Sequence, residues 1–391
     1  MIRTSLGIQA LPQKVLSIVS TLLRCGPTSV LEGIVRGYDP AKYQATVATL
    51  SPERRDSARE DFHSFGIPVE EMNLSRPGSF LFGVRLLRDM VQDLKIDLVH
   101  CHGFRADVLY GKCGLQVPTV STIHGDYWTD YQLLYGKLVG RRMARREFVA
   151  LRGFDRVVAV SETVAEAVRS HGVPCQAIAN GIDLNTYHPP LSLSEKVLLR
   201  ERLRLPPERT VVLHTGVLIN RKHPVEVVAG FLESRLSKNA VLLVAEEGPL
   251  RRQCEQVAAG AKNIFFLGKR QDIPDLLRAS DVLISNSVSE GLPMALLEGC
   301  ACGSRVIASN IAPHRHIRDM FPQQVFIYSG HGPQAVAAAL DANGPPEMAN
   351  ILQPPRESLE AISASRMSRA YQSLYDNLCT RDAHPRRPAI T

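Results

Sequence analysis

The chain reads as two doubly wound α/β domains of Rossmann type joined by a short hinge. Short apolar runs alternate with longer amphipathic stretches, the alternation lapses once around Pro189 and Pro190, and it then restarts with the same cadence. A length of 391 residues suits two domains of ordinary size better than one. At 45% hydrophobic and 22% charged residues, each half can bury its own core.

The first run, VLSIV (15–19), continues to Leu23, but Ser17, Ser20 and Thr21 interrupt it and no small-residue cleavage site follows. That pattern predicts a buried strand rather than a secretory leader. ATVATL (45–50), DLVHC (97–101), VPTVSTI (117–123), RVVAV (156–160) and CQAIA (175–179) complete the strands expected of the first domain, residues 1–188. Near-continuous apolar text of this kind belongs to parallel strands covered on both faces. TVVLHTG (210–216), AVLLVA (240–245), NIFFLG (263–268), DVLISN (281–286) and RVIAS (305–309) supply the second domain, residues 189–355, which closes with a helix and a Gly/Pro loop over 332–350. Leu359, Ile362, Met367, Tyr371, Leu374 and Leu378 recur at near-helical spacing and predict one helix over 356–378, returning to the N-terminal domain. Residues 379–391 read as a disordered tail. No stretch approaches the roughly 18–20 apolar residues of a spanning helix.

Eight scattered cysteines, with no C-x2-C pair, fit a reducing compartment and hence a cytoplasmic chain. The net charge of +7 is concentrated locally. Between 137 and 156, Lys137, Arg141, Arg142, Arg145, Arg146, Arg152 and Arg156 face only Glu147 and Asp155, seven cations less two acids, or +5. Leu134, Leu138, Met143, Phe148 and Val149 interleave with them, so the stretch 131–156 is expected to hold a helix resting on an anionic membrane surface. A core-packed helix with a solvated basic face is the other reading. No recognised motif or basic-aromatic stripe points to nucleic acid.

The most informative segment is SDVLISNSVSEGLPMALLEGCACGSRVIAS (280–309): a strand, a loop with Glu290 before Gly291, Leu292 and Pro293, and a helix carrying Glu298. Pro293 suits a first helical turn, leaving backbone N–H groups near Gly291 and Leu292 for a diphosphate. Eight residues along a helix separate two carboxylates by about 12 Å, enough to grip two parts of one elongated ligand. The bland alternative makes Glu290 a dipole partner and Glu298 a solvated side chain. His100 and His102 alternate on one strand face, but no third metal ligand stands in register.

Residues 287–299 resemble the S-x-x-E-G-x-P-x-x-x-x-E-A/G signature of retaining glycosyltransferase family 4. The likeness extends through DLVHCHGFRADVL (97–109), VAVSET (158–163), ANGID (179–183), EEGPLR (246–251) and FLGKRQDIPDLLRASD (266–281). It implies a GT-B fold with an acceptor-side first domain, a nucleotide-sugar-binding second domain and a ligand cleft between the carboxyl ends of their sheets. By the same resemblance, Gly26 in RCGPTS approaches the donor, with Thr28 capping the helix that follows. Gly216, Arg221 and Lys222 grip the donor diphosphate, and His124 touches the donor sugar or the acceptor. Arg270 lies where the nucleobase binds, and Glu290 with Glu298 holds the sugar and ribose hydroxyls. Val217, His223 and Glu246 depart from the family pattern.

What the resemblance implies is retaining, same-face transfer of a hexose or N-acetylhexosamine. The donor is a nucleotide sugar, a UDP-sugar by family frequency, and the acceptor a glycan or lipid-linked hydroxyl in envelope polysaccharide synthesis, at the inner face of the cell membrane. No cofactor or metal is expected beyond that co-substrate, because two fixed cations stabilise the leaving diphosphate and no Asp-x-Asp tripeptide occurs. A soluble-acceptor disaccharide synthase is the enzymatic alternative. A noncatalytic nucleotide-sugar-binding subunit is disfavoured by the intact Glu290, Glu298, Arg221 and Lys222 set.

Overall fold

Strand pairing in the computed structural model, which describes residues 11–345 and 351–379, separates two wholly parallel sheets. The first contains β1 (Gln13–Val19), β2 (Tyr43–Thr49), β3 (Val69–Glu71), β4 (Leu98–His102), β5 (Thr119–Ile123), β6 (Arg156–Ala159) and β7 (Gln176–Ala177). Their spatial order is β3-β2-β1-β4-β5-β6-β7. The second contains β8 (Thr210–Thr215), β9 (Ala240–Ala245), β10 (Ile264–Phe266), β11 (Val282–Ser285), β12 (Arg305–Ser309) and β13 (Val325–Tyr328), ordered β10-β9-β8-β11-β12-β13. In both sheets the winding direction reverses beside the first strand, between β1 and β4 and between β8 and β11. At such a point, loops leaving adjacent strands diverge and open a crevice at the carboxyl edge.

The division between units falls at Ala179/Asn180 and again at Ser363/Ala364, not at 188/189. The segment after Ala179 is already tied to the second unit, since Ile182 N donates to Ile362 O at 2.8 Å and Asn180 Nδ2 to Leu292 O at 3.2 Å. The single helix expected over 356–378 is two, Arg356–Ala361 in the second unit and Ala364–Cys379 in the first. The latter buries Met367, Tyr371, Leu374, Tyr375 and Leu378. Ser368 Oγ donates to Ile34 O at 2.6 Å, and any Cβ on Gly37 would lie 2.5 Å from Ser368 Cβ, so glycine permits this close approach. The expected tail beyond Cys379 lies outside the described residues.

The basic segment forms Tyr127–Tyr135 and Lys137–Leu151. The second helix buries Gly140, Ala144, Glu147, Phe148 and Leu151 while Lys137, Leu138, Val139, Arg141, Arg142, Arg145 and Arg146 are exposed. Phe148, expected among the outward apolar residues, instead stacks on His171 with ring centroids 4.4 Å apart. Glu147 points into the core beside Asp107, and burial together with that neighbouring carboxyl pushes it well above the carboxylate range. Asp107 is raised by burial to about 6, although bonds with Glu147 and Ser121 pull it down. Two desolvated acids in contact retain a proton.

In the second unit, Asp281 at the foot of β11 collects a buried ionic network. Lys196 Nζ lies 2.6 Å from Oδ1, Arg200 Nη2 2.5 Å from Oδ2, and Val211 N donates to Oδ2 at 2.8 Å. Arg200 also donates to the carbonyls of Ala279, Pro207 and Arg209, so the helix Leu193–Arg202 is bolted to the amino edge of the sheet. Removing the acceptor leaves two buried cations without compensation. Asp281→Asn is expected to cost about 3–5 kcal/mol in urea unfolding, and a loss under about 1 kcal/mol would show the network to be dispensable.

Candidate functional site

The loops after β8 and β11 meet at the second sheet's reversal point. Gly216 follows β8 at φ 134°, a conformation that disfavours any side chain, and the chain then turns through the short helix Asn220–Lys222. Val288 N donates to Arg221 O at 3.0 Å, joining this loop to the one after β11. Arg221 Nη1 donates to Ser289 O at 2.8 Å and lies 3.2 Å from Glu290 Oε2, while Lys222 Nζ pairs with Glu290 Oε1. The structure thus brings Gly216, Arg221, Lys222 and Glu290 together.

Only 6% of the Glu290 side chain is exposed, against 16% for Lys222 and 23% for Arg221. Burial alone would raise the Glu290 carboxyl, but the Lys222 and Arg221 charges and hydrogen bonds from Lys222 and Ser287 bring it down to about 2. The carboxylate is therefore charged and fixed at neutral pH. The ammonium's remaining donors and the free edge of the guanidinium can take an anion without releasing it.

Glu290 precedes the helix Met294–Ala301, so the two signature glutamates do not share one helix and the 12 Å axial separation does not apply. Pro293 is the N-cap, not a first-turn residue; Gly291 and Leu292 are buried ahead of it, with Leu292 O bonded to Asn180. Glu298, inside that helix, is lifted by burial to about 7, while a hydrogen bond with Tyr187 works the other way. Near neutral pH its charge is adjustable, unlike that of Glu290. Arg270, after β10, makes a bidentate pair with Asp272 at 2.8 and 2.5 Å.

The departures from the family pattern have local explanations. His223, where family members carry glycine, adopts a left-handed conformation (φ 47°), and its Nδ1 lies 2.9 Å from Glu226 Oε1. Glu226 in turn accepts from Asn286 Nδ2 and Gly332 N, and Tyr328 OH donates to Asn286 Oδ1 at 2.6 Å. This network beneath the cation loop is not legible in the sequence, because its members are scattered over about a hundred residues. Glu246 curls back to accept from Glu247 N at 3.1 Å. A Cβ on Gly248 would lie 2.5 Å from Leu218 O, so glycine there lets EEGPLR clamp the loop after β8.

In the first unit, Gly26 opens the helix Gly26–Arg36 after β1, and His124 follows β5. Thr28 does not cap that helix: its hydroxyl donates to Leu23 O at 2.5 Å, and Cys25 is the N-cap. His124 adjoins His102, and both nitrogens of His100 are engaged, by Thr122 Oγ1 and Tyr375 OH, each at 2.8 Å.

Two family models match the chain, Glycosyltransferase Family 4 over residues 26–186 and Glycosyl transferases group 1 over 196–342. The UDP-Gal:alpha-D-GlcNAc-diphosphoundecaprenol alpha-1,3-galactosyltransferase of Escherichia coli is 27% identical over 276 residues, 66% of this chain and 68% of that one. A GDP-mannose-dependent alpha-(1-6)-phosphatidylinositol dimannoside mannosyltransferase of Mycobacterium tuberculosis is 28% identical over 44% of this chain, and the match spans about half (47%) of its own length. Among solved structures, Anabaena HepE in complex with UDP and glucose superposes with a TM-score of 0.77 at 19% identity, covering 94% of this chain and 100% of that one. Sucrose-phosphate synthase from Thermosynechococcus elongatus superposes with 0.78 at 18% identity, covering 94% and 99%.

The Glu290 ion cluster has a measurable consequence. A carboxyl held at about 2 instead of an ordinary ~4.3 contributes about 3 kcal/mol at neutral pH, present above the unfolded value and lost as pH falls toward 2. Lys222→Met should therefore lower stability at pH 7 and shift the acid-unfolding limb upward. Adding Glu290→Gln should restore much of the loss, and identical acid limbs for wild type and Lys222→Met would refute the pairing.

Proposed function

The chain belongs to glycosyltransferase family 4 and has the GT-B type of architecture, and from that premise we propose that it transfers a hexose or N-acetylhexosamine from a UDP-sugar, with retention, to a hydroxyl of a glycan or lipid-linked acceptor in envelope polysaccharide synthesis. The observation that carries this reading is the pair of cations, Arg221 and Lys222, fixed on the buried Glu290 at the sheet's reversal point. The UDP named for the Anabaena structure and the diphosphoundecaprenol acceptor named for the Escherichia coli relative favour the donor and acceptor classes.

The chemistry follows from the charges. The bond from the sugar's anomeric carbon to the phosphate oxygen breaks, the acceptor oxygen bonds to that carbon from the same face, and the acceptor's proton passes to the leaving phosphate. Negative charge grows on that phosphate, and Arg221 with Lys222 neutralises it from positions that need no reorganisation. Glu290 accepts from sugar hydroxyls and positions the ring, while Glu298 takes ribose hydroxyls. Gly216 keeps the loop backbone close to the diphosphate, and Arg270 serves the base; on the first unit, Gly26 is the glycine that lets backbone approach a ligand. Metal-independent turnover is part of this proposal.

Glu290→Gln is expected to lower transfer at least about hundredfold, since an amide is a weaker acceptor in a site that must hold reacting geometry. A screen of UDP- and GDP-sugars, with product NMR, checks donor and stereochemistry together. An inverted anomeric centre, or wild-type turnover by Glu290→Gln, overturns the assignment.

The acceptor's site of presentation favours an anionic membrane surface. Leu133, Leu134, Tyr135, Leu138 and Val139 are exposed alongside Lys137, Arg141, Arg142, Arg145 and Arg146. Glu147 turns into the core beside Asp107, away from the exposed cations of this +5 stretch. No helix among the described residues is long and apolar enough to cross a membrane; each cation engaged at an anionic surface contributes about 1 kcal/mol. Flotation with phosphatidylserine vesicles at low salt should carry the wild type upward. The quadruple Arg141, Arg142, Arg145 and Arg146→Ser variant should remain at the bottom, and equal flotation of the two would favour a soluble acceptor.

A further inference from the structure

His102 closes β4 and His124 follows the adjacent β5. Their rings stack with centroids 5.4 Å apart, and His102 Nδ1 lies 3.2 Å from His124 Nε2. His102 is only 6% exposed, and its Nε2 is buried with no hydrogen-bond partner among the described residues. His124 is half-buried, and its Nδ1 makes no hydrogen bond among the described residues. Burial, with the neighbouring histidines, holds His102 well below its ordinary range, and burial puts His124 at about 4. Both rings are therefore neutral at physiological pH.

Two neutral imidazoles carry two hydrogens on four nitrogens, and the contact between them needs one hydrogen and one lone pair. That leaves two arrangements. If His124 Nε2–H donates, His102 keeps its other hydrogen on Nε2 and buries an N–H without a partner. If His102 Nδ1–H donates, the buried Nε2 is a bare lone pair. Orphaned buried N–H groups are rarer than under-satisfied acceptors, so the second arrangement wins. Two other histidines follow the same pattern. Backbone carbonyls of Ile284 and Ser309 lie 3.1 and 2.8 Å from Nδ1 of His214 and His314, which fixes the hydrogen there, and in both residues Nε2 is buried without a partner.

We propose that His102 is a positioning residue that donates from Nδ1 to His124 Nε2 and so fixes His124 as the Nδ1–H tautomer, which offers a hydrogen-bond donor to an oxygen of a substrate bound at the carboxyl edge of the first sheet. On that edge His124 has no lone pair, so it does not take the acceptor's proton. The role in catalysis rests on the transfer reaction proposed above; the tautomer does not.

Long-range proton–nitrogen NMR of the wild-type chain labelled with 15N-histidine reads the tautomers directly. A protonated Nδ1 and bare Nε2 at both His102 and His124 is expected, and a bare Nδ1 at His124 overturns the proposal, whether or not any variant folds. With the donor identified by the nucleotide-sugar screen, His102→Asn keeps an N–H near the former Nδ1. It should hold kcat/KM within about threefold of wild type, while His102→Leu lowers it about tenfold, the worth of one hydrogen bond. Equal losses in the two variants also overturn the positioning role. If no nucleotide sugar is turned over by the wild type, the transfer reading fails while the NMR result stands by itself.

Discussion

Desolvation of one carboxylate organises the second unit's carboxyl edge. Glu290 is nearly sealed from solvent, and an isolated charge there would take up a proton instead. It stays ionised because the loop after β8, the neighbouring strand, delivers two cations to it. The loop after β8 must therefore turn tightly, which explains Gly216, and must be clamped from its other side, which explains Gly248 against Leu218. The requirement propagates downward to Asp281, whose own pair of cations fixes the opposite end of β11. One strand thus carries a paired acid at its foot and another just beyond its head.

Strand order explains why the chemistry gathers where it does. β8 and β11 are adjacent in the sheet yet separated by two strands in sequence, so their loops converge from distant parts of the chain. In the first unit β1 and β4 hold the same relation: Gly26 follows β1, and His102 closes β4 beside His124, which follows β5.

Most of this architecture was legible because parallel strands covered on both faces leave uninterrupted apolar runs, and eleven such runs mark eleven of the strands. The strands missed were β3, three residues written Val-Glu-Glu at a sheet edge, and β13, a four-residue edge strand, both too short to announce a period. Pro189 and Pro190 punctuate the chain more loudly than Asn180, whose attachment to Leu292 is a long-range contact, so the sequence points to a boundary later than the structural one. The site divides the same way. Glu290, Arg221 and Lys222 lie in contiguous motifs and could be read directly. Tyr187 beside Glu298, Glu226 under the cation loop and His102 beside His124 owe their roles to folding partners, and nothing in their neighbours' identities signals it. Phe148 shows the limit of composition, since helical phase places it inward among residues that read as amphipathic.

The second unit is one continuous stretch, Asn180–Ser363, whereas the first is completed only by residues that follow it. The helix Ala364–Cys379 supplies Tyr375 to His100, Tyr371 to Thr122 and Ser368 to Ile34. On a ribosome these partners emerge only after the whole second unit. The nascent first unit must wait through the synthesis of the entire second one with His100 and the Gly26–Arg36 helix uncovered, so the half begun first is the half finished last. Vectorial synthesis thereby makes this helix a latch, and a transcript cut short before it yields a whole second unit attached to an unclosed first.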